Sequence, residues 1–324
     1  MPNPKLVVAS TRRLPSSIER TLAERYDLRL PVEDVPLSEV AMRALLSTSD
    51  VVICTVADPV RAQTIPGALR ARLIANYGVG VNHLDLKAAA SAGITVTNTP
   101  GALTDATAEL AMTLMLMVAR RAGEGERQVR AGKWTGWAPT HLPGMSLTGR
   151  TLGIVGMGRI GSATARRAAL GLGMVIRYHS RSPVTDDRLE GFDAEHVPDL
   201  DALIAGVDVV SLHCPLTADT HHLINARRLG LMPSHALLIN TARGPVVDEA
   251  ALARVLDAGG IAGCGLDVFE HEPVVHPGLL ASERAVLLPH LGSATIEART
   301  AMGHLVLENI AAWERGERPP NAVN

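Results

Sequence analysis

Leu152-Gly153-Ile154-Val155-Gly156-Met157-Gly158-Arg159-Ile160-Gly161 reads as a short apolar strand running into three glycines at G-x-G-x-x-G spacing. The residues behind it, Ser162-Ala163-Thr164-Ala165-Arg166-Arg167-Ala168-Ala169, form a helix-favouring run. Each glycine has its own job in binding a dinucleotide. Gly156 permits the tight turn off the strand, Gly158 lets a pyrophosphate approach the backbone, and Gly161 lets the helix pack close to the strand. The phosphates then sit on the free N–H groups of the helix N-terminus. The spacing alone is a weak signal in a chain with 29 glycines. Its position between a strand and a helix makes it a strong one.

The next strand sharpens the cofactor. Met174-Val175-Ile176-Arg177-Tyr178-His179 ends at Ser180-Arg181-Ser182, with no acid where an NAD site places one for the ribose hydroxyls. A guanidinium between two hydroxyls suits a 2′-phosphate, because arginine pairs bidentately with a phosphate dianion. Ser180, Arg181 and Ser182 therefore favour NADP(H), with NAD(H) as the alternative.

Composition bounds the rest. A length of 324 residues predicts about two domains, and 47% hydrophobic with 20% charged residues describes a globular protein. A net charge of −2 gives no basic footprint for nucleic acid, and two Phe, three Tyr and three Trp offer no stacking platform. No membrane partner is expected: Leu110 to Ala119 is too short to span a bilayer, and the first residues lack a signal-peptide core. Cys54, Cys214 and Cys264 show neither a disulfide framework nor metal-ligand spacing, which fits a cytoplasmic location.

Short apolar runs and helical patterns alternate along the chain. Strands are expected at Leu6–Ala9, Val51–Val56, Leu73–Ala75 and Ile94–Thr97, and helices at Ser16–Arg25, Glu39–Leu46 and Leu86–Ala92. Such alternation predicts a parallel sheet covered by helices. Asn98-Thr99-Pro100-Gly101 closes this part as a loop. A long apolar helix is expected from about Thr104 to Arg121, then an irregular stretch from Ala131 to Thr148. From Thr151 the alternation resumes as a doubly wound nucleotide domain of six strands. The chain closes with the run Ala285–His290 and a helix over Glu297–Arg315.

Three polar residues stand after predicted strands, where open α/β sheets place ligands: Arg243, Glu272 and His290. Reduction of a carbonyl needs a hydride donor, a proton donor and a cation for the substrate's acid group. Histidine beside a carboxylate is a suitable proton donor, since the anion keeps the imidazolium populated. An arginine fork matches a carboxylate. Each residue alone has a bland reading as a cap, a core residue or a surface charge. Their joint placement downstream of a dinucleotide fingerprint favours catalysis.

These features resemble the D-isomer-specific 2-hydroxyacid dehydrogenases nearly end to end. The likeness runs through Asn76–Asp85, Gly156–Gly161, His213-Cys214-Pro215-Leu216-Thr217, Asn240–Gly244, Asp267–Pro273 and Pro289–Thr295. Within that family the Trp134-Thr135-Gly136-Trp137 region and Ser180-Arg181-Ser182 are most similar to the glyoxylate/hydroxypyruvate reductases. The resemblance implies Arg243 as substrate anchor, His290 as general acid/base and Glu272 as its partner. It also implies that the N–H groups of Val79 and Gly80 hold the substrate carboxylate. It extends cofactor contact to Thr107, Arg159, Ile160, Cys214, Pro215, Thr220, Thr241, Ala242, Asp267 and Gly292. It implies a homodimer in which Trp137 reaches the partner's active site.

The implied fold is two doubly wound parallel-sheet α/β domains, a Rossmann-type coenzyme domain inserted in a flavodoxin-like substrate domain. Residues 1–101 and 288–324 would form the substrate-binding domain, taking in the last strand and helix. Residues 102–287 would form the NAD(P)-binding domain, with substrate held in the cleft between the two. His271-Glu272-Pro273-Val274-Val275-His276 has one residue too many for a zinc motif, and Pro273 breaks its helix, so no metal is expected.

The expected activity is NADPH-preferring reduction of glyoxylate or hydroxypyruvate, with hydride transfer to the carbonyl carbon and His290 as the acid. The alternatives are another D-2-hydroxyacid dehydrogenase using NADH, or a binding protein like the family's dinucleotide-sensing co-repressors.

Overall fold

The structure, a computed structural model, describes residues 5–185 and 187–324. Two compact units divide the chain, one up to Leu103 and again from Ala294, the other Thr104–Ser293.

The first unit holds five parallel strands: β1 (Val7–Ser10), β2 (Asp27–Arg29), β3 (Val51–Cys54), β4 (Leu73–Asn76) and β5 (Thr95–Thr97). Their order, β2-β1-β3-β4-β5, is the flavodoxin-like one. Every residue of β1, β3 and β4 is buried, as expected of parallel strands covered on both faces. One face packs Val8, Ile53 and Leu73 against Ile18 and Leu22 of the helix Ser16–Arg25 and Met302, Val306 and Ile310 of the helix Ile296–Glu314. The other packs Val52, Ile74 and Val96 against Met42 and Leu46 of the helix Glu39–Thr48. Ser38, Asp85 and Thr295 cap their helices by accepting the amides of Ala41, Ala88 and Ala298. The edge strand β2 was not expected from the sequence.

The second unit holds seven parallel strands: β6 (Thr151–Val155), β7 (Val175–His179), β8 (Ala194–His196), β9 (Val209–Leu212), β10 (Leu237–Asn240), β11 (Gly263–Leu266) and β12 (Ala285–Leu287). The order β12-β11-β10-β9-β6-β7-β8 is that of a dinucleotide-binding sheet with a strand added beyond β11. Six strands were expected, and the last strand was assigned to the substrate domain. It pairs instead with β11, Cys264 opposite Ala285 and Leu266 opposite Leu287, so the run through His290 belongs to the nucleotide unit. The reversal of strand order falls between β6 and β9, where ligands bind in such sheets.

The apolar helix Thr104–Ala119 buries Leu114, Met115 and Val118 against this sheet. It ends two residues before the expected Arg121, which adopts a left-handed φ of 52° and starts a second helix, Ala122–Arg130, with no buried residue.

Candidate active site

The fingerprint glycines divide by cause. Gly156 has a φ of 98°, and a Cβ there would lie 2.7 Å from the backbone nitrogen of Cys214. A Cβ on Gly161 would collide with the Gly156 carbonyl. Packing within the protein demands both. Gly158 is different: its φ is −80°, and a Cβ would meet no protein atom within 4 Å. Nothing in the fold requires glycine there, whereas a pyrophosphate approaching the backbone does. Gly158 is also the N-cap of the helix Arg159–Leu172, and no side chain caps it. The first helical N–H groups beside Arg159 and Ile160 are thus open to an anion. The residues present fit a dinucleotide.

Other expected cofactor residues gather in small groups. Thr107 Oγ1 donates to the Gly292 carbonyl at 2.8 Å, and Gly292 N donates to Asp267 Oδ2 at 2.8 Å, which joins those three. Thr220 Oγ1 donates to the Pro215 carbonyl at 2.7 Å and accepts from Thr217 N, closing the turn after His213 and Cys214. Thr241 Oγ1 is buried without a hydrogen-bond partner among the described residues, beside Ala242 in the loop after β10. Burial pushes the Cys214 thiol up to about 11, which suits a packing residue rather than a nucleophile. At the end of β7, Ser180 Oγ donates to the Ser182 carbonyl at 2.6 Å, and Arg181 is exposed.

Arg243, Glu272 and His290 all lie in the second unit. His290 Nδ1 meets Glu272 Oε2 at 2.8 Å, and Glu272 Oε1 accepts from Phe269 N at 3.1 Å. Burial raises the Glu272 carboxyl, but the His290 bond and charge, the Phe269 amide and the Arg243 charge outweigh it and hold it below the ordinary range. Burial also lowers Arg243, and the Glu272 charge opposes that shift. Gly244 permits their approach, since a Cβ there would collide with the Phe269 carbonyl.

His290 itself sits at a left-handed φ of 54°, a conformation uncommon for residues other than glycine. Asp267 holds it there. The Asp267 carbonyl accepts from His290 N at 3.0 Å, while its Oδ1 and Oδ2 accept from Leu291 N and Gly292 N. Burial raises the Asp267 carboxyl, against the pull of those two amides and of the His290 charge. A cavity of about 280 Å³, walled by Phe269, Val275, Leu280 and Leu288, adjoins Glu272 and His290. An imidazole, its carboxylate partner and a guanidinium thus stand together.

Val79 and Gly80 lie in the loop after β4 of the first unit, half-buried. Among the described residues neither N–H has an acceptor. Trp137 is 84% exposed in a stretch without helix or strand. Among the described residues no three His, Cys, Asp or Glu side chains are grouped to hold a metal, and no helix is long and apolar enough to cross a membrane.

The sequence reading missed three contacts. Arg188 donates to the Met157 carbonyl inside the glycine loop at 2.9 Å. Asn240 closes the loop of Arg243, and Asn76 closes that of Val79 and Gly80. An asparagine ending a strand just before a site loop was the available signal.

A sequence model of the D-isomer specific 2-hydroxyacid dehydrogenase NAD-binding domain matches residues 112–292, more than half of the chain. The chain belongs to the D-isomer-specific 2-hydroxyacid dehydrogenase family. It is therefore an NAD(P)-dependent oxidoreductase, and the matched segment falls inside the seven-stranded unit. The chain is 44% identical over 316 residues to a glyoxylate reductase of Korarchaeum cryptofilum, covering 97% of this chain and 94% of that one. Its fold is that of a D-isomer specific 2-hydroxyacid dehydrogenase from Polaromonas, with a TM-score of 0.91, 37% identity, and 99% and 100% of the two chains covered. An NADPH-dependent glyoxylate/hydroxypyruvate reductase of Sinorhizobium meliloti, solved with NADP and malonate, gives a TM-score of 0.86 at 34% identity over 98% and 97% of the chains.

Proposed function

We propose that this dehydrogenase is an NADPH-preferring reductase of small 2-oxo acids, glyoxylate and hydroxypyruvate. The observation that carries the reading is the 2.8 Å pair of His290 Nδ1 and Glu272 Oε2 beside Arg243. When bound, the reduced nicotinamide supplies the hydride to the carbonyl carbon. His290 delivers a proton from Nε2 to the carbonyl oxygen, which would otherwise carry the developing charge. Glu272, anionic throughout the neutral range, fixes the ring through Nδ1. Arg243 pairs with the substrate's acid group, and the N–H groups of Val79 and Gly80 receive that carboxylate.

NADPH over NADH is supported by the exposed Arg181 and by the lack of an acid after β7. Likeness to the Sinorhizobium enzyme, solved with NADP, supports it further. Arg188, bonded to the glycine loop at Met157, adds a second cation on that side. The chain is proposed to work as a homodimer in which Trp137 completes the partner's site, which accounts for an indole left 84% exposed.

The test is steady-state oxidation of NADPH and NADH with each 2-oxo acid. Turnover with both acids and a higher kcat/KM with NADPH are expected. Dinucleotide binding without turnover of any small 2-oxo acid would refute the proposal and point to a sensing protein.

A further inference from the structure

The loop after β4 has an unusual construction. Asn76, the last residue of that strand, is fully buried. Its Nδ2 donates to the Gly78 carbonyl at 3.0 Å and to the Gly80 carbonyl at 3.1 Å, which uses both of its N–H bonds. Its Oδ1 lies 3.1 Å from His83 Nε2, also buried, so that nitrogen carries the proton and the amide cannot flip. A second asparagine completes the pattern: Asn98 Nδ2 donates to the Val79 carbonyl at 2.9 Å, and Thr99 N donates to the Gly78 carbonyl at 3.0 Å. Three successive carbonyls are thus each held by a fixed donor.

Peptide planarity gives the consequence. In a trans peptide the C=O of one residue and the N–H of the next point in opposite directions. Holding the Gly78 carbonyl fixes the direction of the Val79 N–H, and holding the Val79 carbonyl fixes that of the Gly80 N–H. Both donors face away from the groups that grip the carbonyls, and neither has an acceptor among the described residues. Successive backbone N–H groups fixed in this way bind anions without a charged side chain. Gly78 leaves the room required, since a Cβ there would lie 3.2 Å from Val56 Cγ1 and 3.6 Å from Asn76 Nδ2.

We propose that Asn76 is a positioning residue for the reaction. With Asn98, and with His83 behind it, it sets the direction of the two amides that receive the substrate carboxylate. The inference rests on the reading above that Val79 and Gly80 bind that carboxylate. It predicts an effect selective for the negatively charged end of the substrate.

The test compares a 2-oxo acid with its uncharged methyl ester, glyoxylate against methyl glyoxylate, in the full-length protein. For Asn76→Ala the KM for glyoxylate is expected to rise about 10- to 100-fold, the loss of a hydrogen bond to a charged group. The kcat, the KM for NADPH and the kcat/KM for the ester should change far less. A parallel fall for acid and ester, or no change for either, overturns the proposal. If Asn76→Ala does not fold, Asn98→Ala carries the same test, because it frees the peptide that bears the Gly80 N–H. Equal loss on acid and ester in that variant overturns the proposal as well. A wild-type protein that reduces neither compound would instead refute the proposed function.

Discussion

The loops after β4 and β10 are built alike and end differently. Each strand closes on a buried asparagine, Asn76 and Asn240, 0% and 1% exposed. Asn76 grips carbonyls and leaves two backbone N–H groups, those proposed to receive the substrate carboxylate. Asn240 donates from Nδ2 to the Arg243 carbonyl at 2.9 Å and accepts from Ala242 N at 3.0 Å, closing a turn from which the Arg243 side chain projects. One loop presents backbone and the other presents a guanidinium. A fold can therefore offer donors to an anion from a charged side chain or from backbone alone, and only the charged side chain is visible as a residue type.

The comparison can be broken from the guanidinium side first. His290→Asn, which removes the proton donor served by that unit, is expected to lower kcat by about 10²- to 10⁴-fold, with NADPH binding unchanged by fluorescence titration. Arg243→Lys keeps a charge but loses the fork, and should lower kcat/KM for glyoxylate about 100-fold. A loss below threefold would mean that the backbone loop alone suffices. Asn240→Ala should cost about tenfold in the same quantity, because it loosens the turn without touching the guanidinium. An effect as large as that of Arg243→Lys would show that the turn, and not the charge, is limiting. Arg181→Asp, remote from both loops, should raise the KM for NADPH more than that for NADH. Equal changes in the two would remove the phosphate role of Arg181.

Legibility followed the cause of each feature. The fingerprint was readable because Gly156 and Gly161 answer to backbone geometry and Gly158 to a ligand, and all three demands select glycine. Arg243, Glu272 and His290 were singled out because the proton transfer and carboxylate pairing proposed for them restrict residue type, and the structure brings His290 within 2.8 Å of Glu272. The edge strands β2 and β8 were not readable. Asp27-Leu28-Arg29 and Ala194-Glu195-His196 are short and polar, with no fully buried residue, so they carry no apolar period. The helix Ala122–Arg130 buries nothing and was silent for another reason, since Gly123 and Gly125 disfavour a helix. Strand β12 was readable as an apolar run, but its pairing with β11 was not, since pairing is a long-range property. Asp267 was expected at the cofactor, and the structure adds that both of its oxygens accept the amides that follow His290.

The pH dependence of kcat/KM for glyoxylate reduction, wild type against Glu272→Gln, tests the central claim most directly. Glu272 is held below the ordinary carboxylate range, so it stays anionic across the neutral range and fixes the imidazole it faces at 2.8 Å. Reduction consumes a proton, so the rate falls as pH rises. Replacing the anion should change the profile, with a lower kcat/KM at neutral pH than in the wild type. A Glu272→Gln profile that superimposes on the wild type would contradict the account.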